Sequence, residues 1–374
     1  MIFTINKAEY KNLLSNTINL YPSSLKRAIV QKLKEDEKVT LNENEVKTGY
    51  KYPILCDSND EVIKTTIDDD DFFNFYENWD FEKSYKYSVP LTFKMNWDSS
   101  ITWDEYISTL ISDKKVIPFA ENERFNIPDK ITKDLKSCIP YYKKDGNYAL
   151  FKFLIKENMF TSDDELIDIR YPIIVSINIE KGFLEIRFDG GKFEYKNQSE
   201  YIIPKIKFCV KWLKESLRLK VYNINTNRTI DTIKNDTSKK AVVHKQMMEM
   251  KSGGSAELTA SEHKEYMLPF IGDFRQLIKN NESLFDKSPE IKNLIGDFLD
   301  DYEKTSDYPY IHVRWLNEKK SYAFTVKIVF KYYDMRYIQM HNMQSATRVT
   351  KERMEYAIEY LFENGSFIKG EEIQ

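Results

Sequence analysis

The chain has 374 residues, enough for two domains. Hydrophobic residues make up 41%, aromatic residues 14% and charged residues 31%, while Gly and Pro occur only 11 times each. This composition is typical of a globular protein and excludes collagen-like and linker-like chains. A net charge of −3 excludes a chain that binds polyanions over its whole surface, so a nucleic-acid surface must be local.

Three cysteines, Cys56, Cys138 and Cys209, lie far apart in the sequence. Their spacing excludes a CxxC zinc or thioredoxin-type motif, and we expect free thiols in a reducing compartment. The first residues lack the pattern of a secretory signal, and no run of 18 apolar residues predicts a membrane span. We therefore expect a cytoplasmic protein that does not associate with a membrane.

The amino-terminal region predicts helices over residues 7–36, broken at Pro22. Ser24 is a candidate N-cap for the second of them. Residues 46–95 are predicted as strands and loops. A further short amphipathic helix is predicted over 103–112, where large apolar residues recur at helical spacing.

An acidic segment lies inside the region predicted as strands and loops. Residues 60–82 contain nine Asp or Glu and one Lys, a net of −8, and include the four-carboxylate run Asp68–Asp71. Successive carboxylates in an extended chain point to alternate sides, so four in a row cannot converge on one cation. We predict a solvated turn that leads into a buried aromatic segment. The alternatives are a cation site and an acidic surface for a partner.

The clearest strand pattern lies between residues 167 and 196. Runs rich in Ile, Val and Phe are separated by turns at Gly182 and at Gly190-Gly191, which predicts an antiparallel meander. The apolar run within 147–160 precedes it. A helix over 200–217 follows it, with its apolar residues on one face.

The carboxyl-terminal half begins with a polar segment over 223–262, in which Ala241 to Met250 fits either a strand or a short helix. Two helices are predicted over 270–304, with Ser288-Pro289 at the start of the second. Residues 308–338 alternate between polar and apolar, which predicts a hairpin. Thr350 is a candidate cap for a last helix that ends near Gly365.

Helices and strands mix without a regular β-α alternation. The predicted fold class is therefore α+β, with an antiparallel meander and hairpins packed by helices. We predict an amino-terminal domain over 1–225, a mobile linker or insertion over 226–261 and a carboxyl-terminal domain over 262–374.

Motifs with a known catalytic geometry are missing from the sequence. It contains no GxxxxGK[ST], GxGxxG, GxSxG or HExxH pattern and no EF-hand loop, and its four histidines have no motif partner. We predict no cofactor and no metal site on this basis. Whether the protein is an enzyme stays open.

One loose pattern fits a metal-dependent nuclease of the PD-(D/E)xK kind. Such a site uses carboxylates on neighbouring strands to hold Mg²⁺, and a lysine polarises the attacking water. The candidates are Asp168, Glu185, Glu194 and Lys196, the last two forming a Glu-x-Lys. The simpler interpretation is that these are surface charges on the outer face of a sheet.

The strongest local charge asymmetry lies in residues 310–355, with nine Lys or Arg against four Asp or Glu, a net of +5. Tyr, Phe and Trp are interleaved with these cations. Cations pair with phosphates and aromatic faces stack on unpaired bases, so the predicted hairpin is a candidate nucleic-acid surface. The simpler alternative is a solvated face balanced by the acidic amino-terminal region. The candidate contacts are Arg314, Lys319, Lys320, Lys327, Lys331 and Arg336.

Three functional hypotheses follow. The first is a non-enzymatic subunit of a bacterial multi-protein complex that contacts DNA or RNA through the basic, aromatic hairpin. The overall composition resembles that of accessory proteins in phage-defence and mobile-element systems. The second hypothesis is the Mg²⁺-dependent nuclease. The third is a protein-binding module without a nucleic-acid role, because the acidic and basic regions could form an interface within one chain or between subunits.

Overall fold

The structure is a computed structural model. It describes residues 2–36, 39–42, 45–48, 53–54, 58–120, 130–191, 198–224, 233, 241–249, 254–259, 271–305, 308–315, 324–332, 337–343, 351–363 and 369–373. The fold class is α+β, as predicted. Two compact units are present: Met1–Asn223 with Gln344–Glu359 and Lys369–Gln374, and Ile224–Met343 with Tyr360–Ile368. No helix in the described ranges is long and apolar enough to cross a membrane.

The helices are α1 Lys7–Asn19, α2 Ser23–Glu35, α3 Asn59–Asp68, α4 Phe73–Glu82, α5 Trp103–Ser112, α6 Gln198–Glu215, α7 Ile271–Asn280, α8 Glu282–Phe285, α9 Pro289–Thr305 and α10 Lys351–Glu363. The strands are β1 Ile2–Thr4, β2 Val39–Asn42, β3 Glu45–Thr48, β4 Pro53–Ile54, β5 Tyr87–Met95, β6 Ile117–Pro118, β7 Lys130–Thr132, β8 Tyr141–Asp145, β9 Tyr148–Phe160, β10 Leu166–Asn178, β11 Phe183–Phe188, β12 Leu219–Ile224, β13 Ala241–Glu249, β14 Ser255–Thr259, β15 Tyr310–Trp315, β16 Phe324–Tyr332, β17 Tyr337–Asn342 and β18 Lys369–Glu372.

The main sheet of the first unit has the strand order β5-β11-β10-β9-β8-β6. Its pairs are antiparallel apart from β6 with β8. β12 pairs with both β5 and β18. The predicted meander is confirmed for β9, β10 and β11; its last segment, residues 192–196, lies outside the described residues. β1 pairs with β7, and β2, β3 and β4 form a small separate sheet.

The two longest strands, β9 and β10, are buried on both faces. On one face, the rings of Phe151 and Phe153 lie 5.0 and 5.1 Å from the ring of Trp212 on α6. On the other face, Leu150 packs with Phe81 on α4. Helices on both sides explain why β9 is apolar at consecutive positions rather than at alternate ones.

Helix α1 satisfies backbone groups of β10 that no described strand pairs with. The register of β11 reaches only Ile174 to Asn178, so among the described strands the first half of β10 pairs with β9 alone. There the Thr17 hydroxyl donates to the Arg170 carbonyl at 2.8 Å and accepts from the Arg170 N–H at 3.0 Å. The side chain of Thr17 thus takes the place of a neighbouring strand at this edge of β10.

Thr17→Val should therefore lower the free energy of unfolding by about 1–3 kcal/mol, because it leaves buried backbone groups of Arg170 without a partner at nearly constant volume. Urea denaturation followed by circular dichroism measures this loss. Thr65→Val is the matched control, since Thr65 is exposed and bonds only within its own helix. Equal effects of the two substitutions would show that the edge contact does not stabilise the fold.

The acidic segment 60–82 forms α3, a 3-10 helix over Asp70–Phe72 and α4, so the prediction of strands and loops is wrong there. The run Asp68–Asp71 is exposed or half-buried, and the aromatic residues that follow it in α4 are buried, as predicted. Val62, Ile63, Thr66 and Ile67 are buried at helical spacing in α3, a pattern that the many carboxylates concealed. The cap predicted at Ser24 is also wrong: α2 begins at Ser23 after an extended Pro22, and no side chain caps it.

Four charged side chains of the first unit are fully buried between α4 and the central strands. The Lys152 ammonium lies 2.7 Å from Glu77 Oε2 and 3.3 Å from Asp80 Oδ2. Arg170 Nη1 lies 2.6 Å from Asp80 Oδ2 and 3.4 Å from Glu77 Oε1. Burial alone would raise the pKa of Asp80, but Arg170 and Lys152 hold it below its usual value. We call these four residues the buried ion cluster.

The sheet of the second unit has the order β14-β13-β15-β16-β17, with every pair antiparallel. The predicted hairpin corresponds to β15 and β16, and the ambiguous segment 241–250 is strand β13. One face of this sheet packs against helices: Met248 and Leu299 are buried together, with Phe274 of α7 against them. The predicted linker 226–261 therefore contains two strands, β13 and β14.

Candidate nucleic-acid interface

The second unit's sheet has two chemically different faces. Along β15, Ile311, Val313 and Trp315 are buried, while the alternate side chains are half-buried. The same alternation continues in β16, where Val326 and Ile328 are buried on either side of a half-buried Lys327. Strand geometry places alternate residues on opposite faces, so the half-buried side chains share one face, which we call the polar face.

Four basic residues form a row across this polar face. Strand pairing sets Lys245 of β13 opposite His312, His312 opposite Lys327, and Lys327 opposite His341 of β17. Neighbouring strands lie roughly 4.8 Å apart, so the row spans roughly 14 Å. A register shift between Val243 and Lys245 sets the first position of the row, because it brings Lys245 rather than His244 opposite His312.

Further side chains connect to this row. Lys245 lies 2.6 Å from Glu257 of β14, which also accepts a hydrogen bond from the Tyr310 hydroxyl. The Lys327 ammonium lies 3.6 Å from the centre of the Tyr310 ring, a cation–π contact. Arg314 Nη2 lies 3.1 Å from His244 Nε2 and donates to it when that nitrogen carries no proton.

His312 is the electrostatic centre of the row. Half-burial lowers its pKa most, and the neighbouring Lys327 and Lys245 lower it further, to about 4. Burial also lowers the pKa of Lys327. The imidazole is therefore neutral at pH 7, which allows two lysines to flank it without a third adjacent positive charge.

The lowered pKa of His312 predicts a contribution to acid unfolding. An unfolded histidine binds a proton below about pH 6.5, whereas the folded one does so only near pH 4, so protons favour the unfolded state between these values. This contribution to stability is complete above about pH 6.5 and is lost as the pH falls towards 4. When the pH is lowered from 7 to 4.5, the free energy of unfolding of His312→Gln should therefore fall less than that of wild type. Urea titrations at each pH measure this difference. Identical pH dependence of the two proteins would contradict the assignment.

The structure places two of the predicted nucleic-acid contacts on the polar face. Arg314 of β15 lies opposite Thr325 of β16. Thr325 is two residues from Lys327 on β16, so Arg314 and Lys327 are diagonal neighbours. Lys331 lies within β16, but its side chain is outside the described residues. The other predicted contacts, Lys319, Lys320 and Arg336, also lie outside them.

The residues of the nuclease hypothesis are not brought together where they are described. Glu185 lies opposite Ser176 of β10. Ser176 is eight residues along that strand from Asp168, so Glu185 and Asp168 are roughly 26 Å apart. One cation cannot bind both carboxylates, whose oxygens would have to lie within roughly 2–3 Å of it. Glu185 is buried against Arg187 and accepts from Ser88 at 2.5 Å. Glu194 and Lys196 lie outside the described residues.

Asp168 and the acidic run have structural partners instead. Asp168 lies 2.6 Å from the Lys156 ammonium. Asp70 pairs with Lys7 and Lys11 of α1, and hydrogen bonds from these two lysines lower its pKa to about 2. Over the described ranges, no three His, Cys, Asp or Glu side chains are close enough to hold a metal ion.

Sequence reasoning missed Lys245, His312 and His341 as members of the candidate site. Lys245 lies in the segment predicted as a linker, and the pairing of β13 with β15 joins residues about 70 positions apart. No local pattern reports such a pairing. The alternation of β15 was visible, however, and it already placed His312 on the same face as Arg314.

Comparisons with known proteins add no assignment to this geometry. No model of a protein family matches the chain. No curated protein matches its sequence either. The polar face itself carries the functional groups: three cations, three imidazoles, one carboxylate and one tyrosine lie on adjacent strands.

Proposed function

We propose that the second unit binds single-stranded nucleic acid on the polar face of its sheet, as the nucleic-acid-contacting part of a larger protein complex. The observation that carries this proposal is the row of Lys245, His312, Lys327 and His341 on four consecutive strands. Lys245 and Lys327 lie on either side of the neutral His312 in this row. Each of their ammonium groups can contact a phosphate of a bound strand.

The dimensions of the sheet favour an unpaired strand over a duplex. Five adjacent strands extend over roughly 19 Å, whereas the major groove of B-DNA is only about 12 Å wide. An open sheet face is a good support for extended nucleic acid, whose phosphates contact cations while bases stack on aromatic rings. Tyr310 lies on this face beside Lys327, and its ring centre is 5.7 Å from that of His312.

The proposal concerns binding, not cleavage. A fluorescence anisotropy titration with labelled single- and double-stranded DNA and RNA, at low salt and with or without Mg²⁺, tests it. We expect single strands to bind more tightly than duplexes, with an affinity that falls steeply as salt is raised. Mg²⁺-dependent cleavage would favour the nuclease alternative instead. If none of the four probes binds, the proposed function is contradicted.

A further inference from the structure

Helix α9 carries an apolar stripe that is exposed. Ile291, Leu294 and Phe298 are exposed by 53%, 70% and 61%, although each is a large hydrophobic side chain. Their spacing of three and four residues places them on one side of the helix. The apolar surface continues around the helix to Ile295, which packs against the buried pair Leu299 and Met248. Helix α9 therefore has a broad apolar arc, of which the unit's own core buries one edge and Ile291, Leu294 and Phe298 form the exposed part.

An acidic ridge runs along one edge of the exposed stripe. Glu290 lies four residues before Leu294 and Asp297 three residues after it; both carboxylates are exposed. On a helix these positions form one continuous line next to the stripe. The only cation among the α9 side chains that the structure describes is Lys292, which pairs with Asp286 at 2.8 Å and Glu282 at 3.2 Å.

The ridge argues against a second copy of this chain as the occupant. Symmetric antiparallel pairing of two α9 helices puts the same edge of each stripe side by side, because a two-fold interface is self-complementary. Glu290 and Asp297 would then face their own copies. Such like-charge contacts disfavour the pairing, whereas a partner with the opposite charge at this edge would be favoured.

We propose that α9 binds an amphipathic helix of a partner protein whose apolar stripe is flanked by lysine or arginine. The exposed stripe supplies the apolar contact, with three large side chains at the helical spacing of anchor residues. The acidic ridge selects the sign of the partner's flanking charge. This surface consists of helix residues only and shares none with the polar face, so it is independent of the nucleic-acid proposal.

Two designed 18-residue peptides test this surface on the full chain. Both are labelled and carry Leu at helical spacing, with Lys at the remaining positions of one peptide and Glu in the other. By anisotropy we expect the Lys peptide to bind wild type at least tenfold more tightly than the Glu peptide. Glu290→Lys/Asp297→Lys should reverse this preference. Leu294→Asp, at a position 70% exposed and so tolerant of change, should weaken the Lys peptide about tenfold.

Four results would overturn the inference. Equal binding of the two peptides to wild type would show that the acidic ridge does not discriminate between partners of opposite charge. An unchanged preference in the charge-reversed variant, or unchanged binding to Leu294→Asp, would place the peptide elsewhere on the chain. A wild-type dimer in light scattering that becomes a monomer in Leu294→Asp would assign the stripe to a second copy.

Discussion

Lys152→Ala should lower the free energy of unfolding by about 3–5 kcal/mol, the largest effect that we expect from a single substitution in this chain. Lys152 is fully buried, and its ammonium contacts both Glu77 and Asp80. Removing it leaves two buried carboxylates with Arg170 as the nearest remaining cation. Urea denaturation at pH 7, monitored by circular dichroism and tryptophan fluorescence, measures the loss.

Lys156→Ala is the matched control because it removes the same side chain from the same strand. The Lys156–Asp168 pair is partly exposed, with 21% and 41% of the two side chains accessible, so its loss should cost about 1 kcal/mol or less. A similar small loss for Lys152→Ala would mean that the buried ion cluster is solvated in solution. The replacement of all four residues of the buried ion cluster, Lys152, Arg170, Glu77 and Asp80, by apolar residues should recover part of the stability, because no unpaired buried charge remains.

Charge reversal on the polar face should have the second large effect, on binding rather than on stability. Lys245→Glu/Lys327→Glu should weaken single-strand binding on the order of 100-fold at about 50 mM salt, since it removes two phosphate contacts and adds repulsion. The two lysines lie on either side of His312 in the row. Both are partly accessible, so the fold should persist, and circular dichroism verifies this.

Lys115→Glu/Lys211→Glu provides a control with the same change in net charge. Both residues belong to the first unit, and their side chains are 57% and 65% exposed. We expect this variant to weaken binding only a few-fold, because it changes the net charge without removing a phosphate contact on the polar face. Equal losses in the two double variants would show that only overall charge matters and that the polar face is not the binding surface.

Local patterns in the sequence predicted much of the secondary structure. The helix over 103–112, the meander of β9 to β11 and the β15–β16 hairpin are present because periodicity and turn residues are local signals. The acidic segment 60–82 misled the prediction, since charge count obscured the helical spacing of its buried residues. There composition was a weaker guide than the position of each apolar residue.

The tertiary arrangement was not accessible in the same way. Lys152 is flanked by Phe151 and Phe153 in an apolar run, and nothing local indicates that Glu77 and Asp80 neutralise it. Lys245 likewise reaches the candidate site only through pairing with a strand about 70 residues later. Arg314 and Lys327 could be predicted together because a single hairpin joins them. Contacts that depend on distant pairings carry no signature in one sequence.

The salt dependence of single-strand binding tests the central claim most directly. The logarithm of the binding constant is measured against the logarithm of salt concentration for wild type and for Lys245→Gln/Lys327→Gln. Each phosphate contact on a single strand contributes about 0.7 to the slope, so the variant should give a line that is shallower by about 1.4. That result would place two phosphates on the polar face. Parallel lines with equal affinities would contradict the account, because the row of Lys245, His312, Lys327 and His341 would then contribute nothing to binding.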